Sequence, residues 1–148
     1  MKKTIIAFVA IAACLFFGTV LRADRDRMIA PGQLPAAAQT FVKQYFPDQT
    51  ISYATKDVDH MKTTYEVRLD DGTEIDFTSK GEWDKVDTKF KPVPAGLIPE
   101  AIASYVQANF PNVPIVKIDK ERSGYDVELS NELELKFNNK GQLMYIDD

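Results

Sequence analysis

Cysteine, histidine and tryptophan each occur once in the 148 residues, as Cys14, His60 and Trp83. A single thiol excludes a disulfide scaffold and a cysteine-based metal site. One histidine and no Gly-x-Ser-x-Gly turn leave little from which to assemble a nucleophile and its base. The expectation is therefore a protein that is not an enzyme and needs no cofactor. Long charge runs of one sign are also missing: 18 basic residues stand against 22 acidic ones. Three of the basic residues, Lys2, Lys3 and Arg22, precede Asp24, so the rest of the chain carries 15 against 22, a net charge of −7. Such a body repels phosphate backbones, and no basic cluster interleaved with aromatics offsets the repulsion, which argues against nucleic-acid binding. What is present is ordinary for a globular protein: 45% apolar, 27% charged and 11% aromatic residues.

The N-terminus reads as an address. Two lysines, an apolar run from Ile5 to Leu21 and the polar stretch Asp24-Arg25-Asp26-Arg27 form the three regions of an export signal. Cleavage is expected after Ala23, leaving a periplasmic or secreted chain with no membrane span. Two alternatives stay open. The run is about the lower limit for a retained span, which needs roughly 17 to 25 residues. Ile11-Ala12-Ala13-Cys14 also has the form of a lipoprotein box, although Leu15-Phe16-Phe17 follow where a mature lipoprotein turns polar.

The remainder is internally duplicated. Leu34-Pro35 through Phe46-Pro47 matches Ile98-Pro99 through Phe110-Pro111, and Tyr65-Glu66-Val67-Arg68-Leu69 matches Tyr125-Asp126-Val127-Glu128-Leu129. Glu74 to Phe77 and Lys80-Gly81 align with Glu134 to Phe137 and Lys140-Gly141. The difference in length between the copies falls around Asp59, His60, Met61 and Lys62, which predicts a loop there. Each copy opens with a proline suited to the first helical position, continues with apolar residues at helical spacing, and is stopped by Pro47 or Pro111. Period-two alternation follows, with Tyr65, Val67 and Leu69 set against Thr64, Glu66 and Arg68, so the sheet has one buried and one wet face. The expected elements are a helix over about 35–46 and strands over about 50–57, 63–70, 73–78 and 82–87, then the same again from Pro99.

The turns specify register. Thr78-Ser79-Lys80-Gly81 and Asn138-Asn139-Lys140-Gly141 suit a type I turn closed by a left-handed glycine, which sets Trp83 across from Phe77 and Leu143 across from Phe137, both pointing at the helix. A two-residue Asp71-Gly72 turn would mix the faces, so a three-residue loop or a bulge is expected there. Val86 and Ile146 are expected on the wet face. The ambiguous aromatics are Tyr45, Tyr53 and Tyr145.

This combination, an export signal followed twice by a Leu/Ile-Pro helix start, a Phe-Pro stop, a Tyr-acid-Val-x-Leu strand and a Lys-Gly hairpin, resembles the PepSY-like family of secreted Bacteroidetes proteins, whose fold is similar to the tandem repeat of beta-lactamase inhibitor proteins. The resemblance implies an α+β fold: two tandem α-β-β-β-β repeats forming an antiparallel sheet with helices packed on one face. It covers about residues 34–148, and with the readings above it divides the chain into a signal segment over 1–23, a flexible lead-in over 24–33, a first repeat over 34–89, a proline-rich linker over 90–96 and a second repeat over 97–148. It brings a family role of binding or inhibiting other envelope proteins, and no catalytic or ligand residue.

Chemistry beyond that is thin. Asp57, Asp59 and His60 share one short segment, and Asp70, Asp71 and Glu74 surround Gly72, but neither group has the ligand number a specific metal site wants, so no metal is expected. The expected function is a protein-binding module, the alternative a sensor of a small ligand or metal. Candidate partner-binding residues are those period two sends to the wet face: Glu66, Arg68, Glu74 and Asp76 in the first copy and Glu128, Glu134 and Lys136 in the second. Duplication is expected to make these two similar patches.

Overall fold

The structure, a computed structural model, describes residues 26–148. The expected signal segment, its cleavage after Ala23 and Cys14 lie outside the described residues. Two ten-residue helices, α1 (Ala36–Tyr45) and α2 (Glu100–Asn109), accompany nine strands: β1 (Asp26–Ile29), β2 (Ile51–Asp59), β3 (Lys62–Leu69), β4 (Glu74–Thr78), β5 (Trp83–Asp87), β6 (Ile115–Glu121), β7 (Gly124–Leu129), β8 (Glu134–Asn138) and β9 (Leu143–Asp147). All nine form one sheet in sequence order, each strand antiparallel to the next. The fold is α+β, with both helices on one face.

Both helices are built and stopped alike. Pro35 and Pro99 occupy the position just before the first turn, one residue earlier than expected, with φ of −52° and −54°. At the other end the Phe46 and Phe110 N–H groups donate to the Val42 and Val106 carbonyls at 2.9 and 2.7 Å, and the following prolines end the ladder. Phe41 of α1 meets Phe77 of β4 edge-on at 5.4 Å, while Tyr105 of α2 meets Phe137 of β8 in the same way at 5.6 Å. Phe77 and Phe137 are wholly buried with Val67, Ile75, Val127 and Leu135, the inward residues that alternation placed on this face.

The Lys-Gly hairpins close as three-residue loops: Gly81 N–H donates to the Thr78 carbonyl at 2.9 Å and Thr78 N–H to the Glu82 carbonyl at 2.8 Å, a pattern repeated at Asn138, Gly141 and Gln142. Gly81 (φ 81°) and Gly141 (φ 73°) also lie where the helix starts dock: a Cβ on Gly81 would come within 2.8 Å of the Pro35 Cβ, and one on Gly141 within 2.7 Å of the Ala101 Cβ. Glycine is thus required twice over, for backbone sign and for clearance. The loop Asp70-Asp71-Gly72 also has three residues, bracketed by the Leu69 and Thr73 pair, so the faces stay unmixed as expected.

Four expectations are corrected. Residues 26–29, expected as part of a flexible lead-in, form β1 along the edge of β2, with Ile29 opposite Ala54; an aliphatic residue there covers the first core position of the sheet. The extra length between the copies is not a loop: it extends the β2–β3 ladder through Val58–Thr63 and Asp59–Lys62 to a tight tip at His60 and Met61. Val86 does not face solvent, because a bulge leaves Asp84 unmatched between the pairs Phe77–Trp83 and Asp76–Lys85, and this returns Val86 to the helix side opposite Ile75 at 0% exposure. The same bulge in β9 turns Ile146 to the helix side opposite Leu135, so Tyr145, opposite Lys136, is the residue on the outer face.

The junction of the repeats is tied by main-chain and hydroxyl contacts. The single hydroxyl proton of buried Thr88 is shared between the Val116 carbonyl, 2.8 Å away, and that of Lys91, and Val93 N–H donates to the Ile115 carbonyl at 2.8 Å. These bonds lay the linker against β6.

Candidate functional site

The sheet face away from the helices is uncovered by any described element, and its side chains lie in two long rows crossing the strands, with a short third row of Asp26, Asp57, Thr64 and Thr78 beside the first. The first runs Met28, Thr55, Glu66, Asp76, Lys85, Asp119, Asp126, Lys136, Tyr145; the second runs Tyr53, Arg68, Glu74, Asp87, Lys117, Glu128, Glu134, Asp147. All seven candidate residues fall in these rows, so alternation alone placed each on the correct face.

The two copies do not make similar patches, however. In the first, Glu66 opposes Asp76 in one row and Arg68 is ion-paired with Glu74 in the other. In the second, Asp126 is bridged to Lys136 at 3.0 Å, and Glu128 opposes Glu134. The like-charged and the paired positions have changed rows. Glu74 is further held by Lys89 at 2.8 Å and is only 17% exposed, so it is committed to the structure. Lys89 also bridges Asp87 at 2.7 Å, and Lys117 reaches Glu128 at 3.5 Å.

Acids outnumber bases at the centre and toward β1, where Lys85 reaches Asp76 at 3.8 Å. Within the second copy Asp119 also lies opposite Asp126, and Lys85, opposite Asp119 across the junction of the copies, stands between it and Asp76. Burial raises the Asp76 pKa; Lys85 counteracts it, and the carboxylates of Glu66, Asp119 and Asp84 add to it. Asp119 is raised for the same reasons, burial first and then Glu121 and Asp84. Opposed like charges destabilise a ladder. A depression of about 260 Å³ opens beside them, bordered by Asp26, Asp57, Glu66, Asp76 and Asp84 with Lys62. The Asp57 Oδ1 atom is buried without a hydrogen-bond partner, as is the Asp126 Oδ1 atom.

Asp84, Asp119 and Asp126 were not among the candidate residues. Asp126 carried a signal, since it matches Glu66 in the repeat; Asp84 carried none, because only the bulge brings it to the depression. The metal candidates do not converge: His60 lies 3.6 Å from Asp59, Asp71 accepts from Thr73 N–H at 2.9 Å and bridges Lys91 at 3.2 Å, and Asp70 accepts from the Thr50 hydroxyl at 3.1 Å. Trp83 faces α1, its ring 6.3 Å from Phe41 and covered by the Lys120 ammonium at 3.6 Å. On the helix side an open apolar groove of about 380 Å³ separates Val106 of α2 and Phe110 just beyond it from Val93, Ile98 and Ile115.

Residues 22–70 and 63–145 match the family described as "Putative beta-lactamase-inhibitor-like, PepSY-like". The chain belongs to that family. Among solved structures, a "putative periplasmic protein" of the DUF2874 family from Bacteroides vulgatus is 37% identical, with a TM-score of 0.81 over 85% of this chain and 99% of its own. A "putative calcium-regulated periplasmic protein" from Bacteroides thetaiotaomicron is 40% identical, again with a TM-score of 0.81 and coverage of 85% and 99%. A second Bacteroides vulgatus protein, described as periplasmic and of unknown function, is 37% identical over 83% of this chain and 99% of its own, with a TM-score of 0.80. No curated protein matches. These three relatives are described as periplasmic, and no helix among the described residues is long and apolar enough to cross a membrane.

Proposed function

We propose that this protein is an exported, non-enzymatic binding module that engages another envelope or extracellular protein through the outer sheet face, in the manner of an inhibitor. The observation that carries the reading is the opposed carboxylates Glu66 and Asp76, beside the acidic depression, on a face that no described element covers. A sheet built for stability alone gains by pairing such positions, as Arg68–Glu74 and Lys136–Asp126 do. A partner that brings lysine or arginine into the depression relieves the repulsion on binding, which favours steered and selective recognition.

The test is capture from the native envelope fraction with the exported protein as bait. The double variant Glu66→Lys, Asp84→Lys is expected to lose the partner while its circular dichroism spectrum is unchanged. Glu74→Lys is unsuitable, since it would set a third cation beside Arg68 and Lys89. Should capture survive the double change and fail when the hairpin tip from Asp57 to Lys62 is shortened to the length in the second copy, the tip carries recognition and the face does not.

A second reading follows from the Bacteroides thetaiotaomicron relative, whose description names calcium as the cation to try. Among the described residues no three carboxylates lie close enough together to hold a metal ion, so a calcium site would need the acidic depression around Asp57 to rearrange, and calorimetry with calcium against Asp57→Asn separates the two readings.

A further inference from the structure

The first copy buries a polar group that the second does without. Thr73, just before β4, is at 0% exposure, and its hydroxyl has no hydrogen-bond partner among the described residues. Asp71 stands beside it, but that carboxylate is engaged by the Thr73 N–H at 2.9 Å and by the Lys91 ammonium at 3.2 Å. The equivalent residue of the second copy is Leu133, since the Leu69 N–H donates to the Thr73 carbonyl and the Leu129 N–H to the Leu133 carbonyl, both at 2.9 Å. Leu133 packs against the core. An apolar side chain therefore satisfies the fold at this place, and an unpaired buried hydroxyl in its stead works against stability.

Thr73 borders a pocket of about 220 Å³ at the junction of the repeats, between the end of α1 and the linker. Asp71, Thr73 and Lys91 give it a polar wall, while Tyr45, Pro92 and Pro94 supply apolar surface. The Val93 N–H bond to the Ile115 carbonyl holds the linker in place, and its prolines stiffen it, so the pocket is preformed. The second copy has Asn109, Asn131 and Leu133 where the first has Tyr45, Asp71 and Thr73, so duplication did not impose this lining.

The lining restricts what can bind. Asp71 and Lys91 neutralise each other, which leaves the wall no unpaired charge to offer an ion, and the exposed Asp48 at the rim repels anions. What remains is a carboxylate acceptor, an ammonium donor, a hydroxyl that can do either, and apolar faces around them. That combination suits a neutral ligand with hydroxyls along its edge and C–H groups on its faces, which is the chemistry of a sugar ring. The volume is below the roughly 300 to 1,000 Å³ of drug-sized pockets, so the ligand is a single ring.

We propose that the junction pocket binds one neutral sugar residue, either a free monosaccharide or the end of a glycan, with the Thr73 hydroxyl hydrogen-bonded to a hydroxyl of the ring. A ligand of about twelve non-hydrogen atoms at ordinary efficiency has millimolar affinity. The pocket lies beside α1, on the other side of the sheet from the outer face, so this site neither rests on the partner-binding reading nor falls with it.

The experiment is an amide NMR titration of the exported protein with glucose, galactose, mannose and N-acetylglucosamine, each also as its methyl glycoside, which stands in for a chain end. The proposal expects saturable millimolar shifts centred on Tyr45, Thr73 and Lys91 with at least one of these sugars. A free sugar that binds better than its glycoside identifies a monomeric ligand, and the reverse identifies a chain end. Thr73→Val keeps the shape and removes the hydroxyl. It is expected to weaken binding about tenfold and to raise the thermal midpoint of the protein without sugar, because no unpaired hydroxyl is left buried. Thr73→Ser should keep the binding. The proposal is overturned by an absence of saturable shifts with every sugar, by binding that is unchanged in Thr73→Val or lost equally in Thr73→Ser, or by a midpoint that falls in Thr73→Val, which would mean that the hydroxyl is already satisfied without a ligand.

Discussion

The two repeats share a chain path and differ in what surrounds it. Around Phe41 of the first lie Tyr45, Phe46, Phe77 and Trp83, with ring centroids between 4.8 and 6.5 Å. The second has a single ring contact in the matching place, Tyr105 on Phe137, because Leu143 stands where the first copy has Trp83. The first copy is flanked on both sides, by β1 and by β6, whereas the second ends openly at β9. Duplication preserved the residues that choose the path: the prolines at helix starts and stops, and the hairpin glycines. Everything at the boundaries was free to diverge.

The sharpest way to test that asymmetry is in the core. Phe77→Ala is expected to cost about 4 to 5 kcal/mol and Phe137→Ala about 3, since both side chains are buried but the first empties a site among several rings. Urea unfolding at fixed slope measures both. Equal losses would mean that the aromatic cluster adds nothing beyond buried area.

The hairpin glycines come next. Gly81→Ala must accept a left-handed alanine and a Cβ 2.9 Å from the Ala38 backbone nitrogen, which cannot move without moving α1. A loss of about 2 to 3 kcal/mol is expected, with somewhat less at Gly141, where the tight contact is to the Ala101 Cβ alone. Thermal melts of the two variants give the ranking.

A smaller difference separates the equivalent residues Val86 and Ile146. Val86→Ala removes buried methyl groups and should cost about 2 kcal/mol. Ile146→Ala changes a half-exposed site and should cost less than about 0.5 kcal/mol. Equal losses at the two positions would mean that pairing with β6 adds nothing to the packing of Val86.

What could be read from the residues was what local chemistry decides. Period two assigned Glu66 and Asp76 to the outer face, and the loop closed by Gly81 set Trp83 against Phe77. Val86 was misplaced because one extra residue at Asp84 inverts every later side chain in β5, and a bulge has no signature apart from the partner strand it bends against. β1 escaped notice because four residues, Asp26 to Ile29, hold too short a pattern to alternate visibly; their pairing depends on β2, about 25 residues away. The exchange of like-charged and ion-paired rows between copies needed the cross-strand register, which the aligned residues do not state by themselves.

That exchange makes the smallest and most specific prediction. Asp76 and Lys136 are equivalent, yet Asp76 faces Glu66 and Lys136 faces Asp126. Burial, with neighbouring carboxylates, raises the folded pKa of Asp76 above its unfolded value of about 3.8, so its ionised form works against folding. This penalty is complete above the folded pKa and disappears as pH falls to the unfolded value, so stability should rise on mild acidification from pH 7. Asp71 and Asp87 act oppositely. Burial disfavours their charged forms, but for Asp71 the Thr73 N–H and Lys91, and for Asp87 Lys89, outweigh it and hold both pKa values down. Their contribution is therefore present above pH 3.8 and lost as pH falls through the lower folded values. The wild-type thermal midpoint should pass through a maximum on the mildly acidic side. Asp76→Asn should raise the midpoint at pH 7 and flatten the rise toward the maximum. Lys136→Gln, at the equivalent place in the other copy, should lower the pH 7 midpoint slightly, because it leaves Asp126 without the cation now 3.0 Å away. Shifts of the same sign in both variants would mean that the two rows are electrostatically alike and that the strain assigned to the Glu66–Asp76 pair is absent.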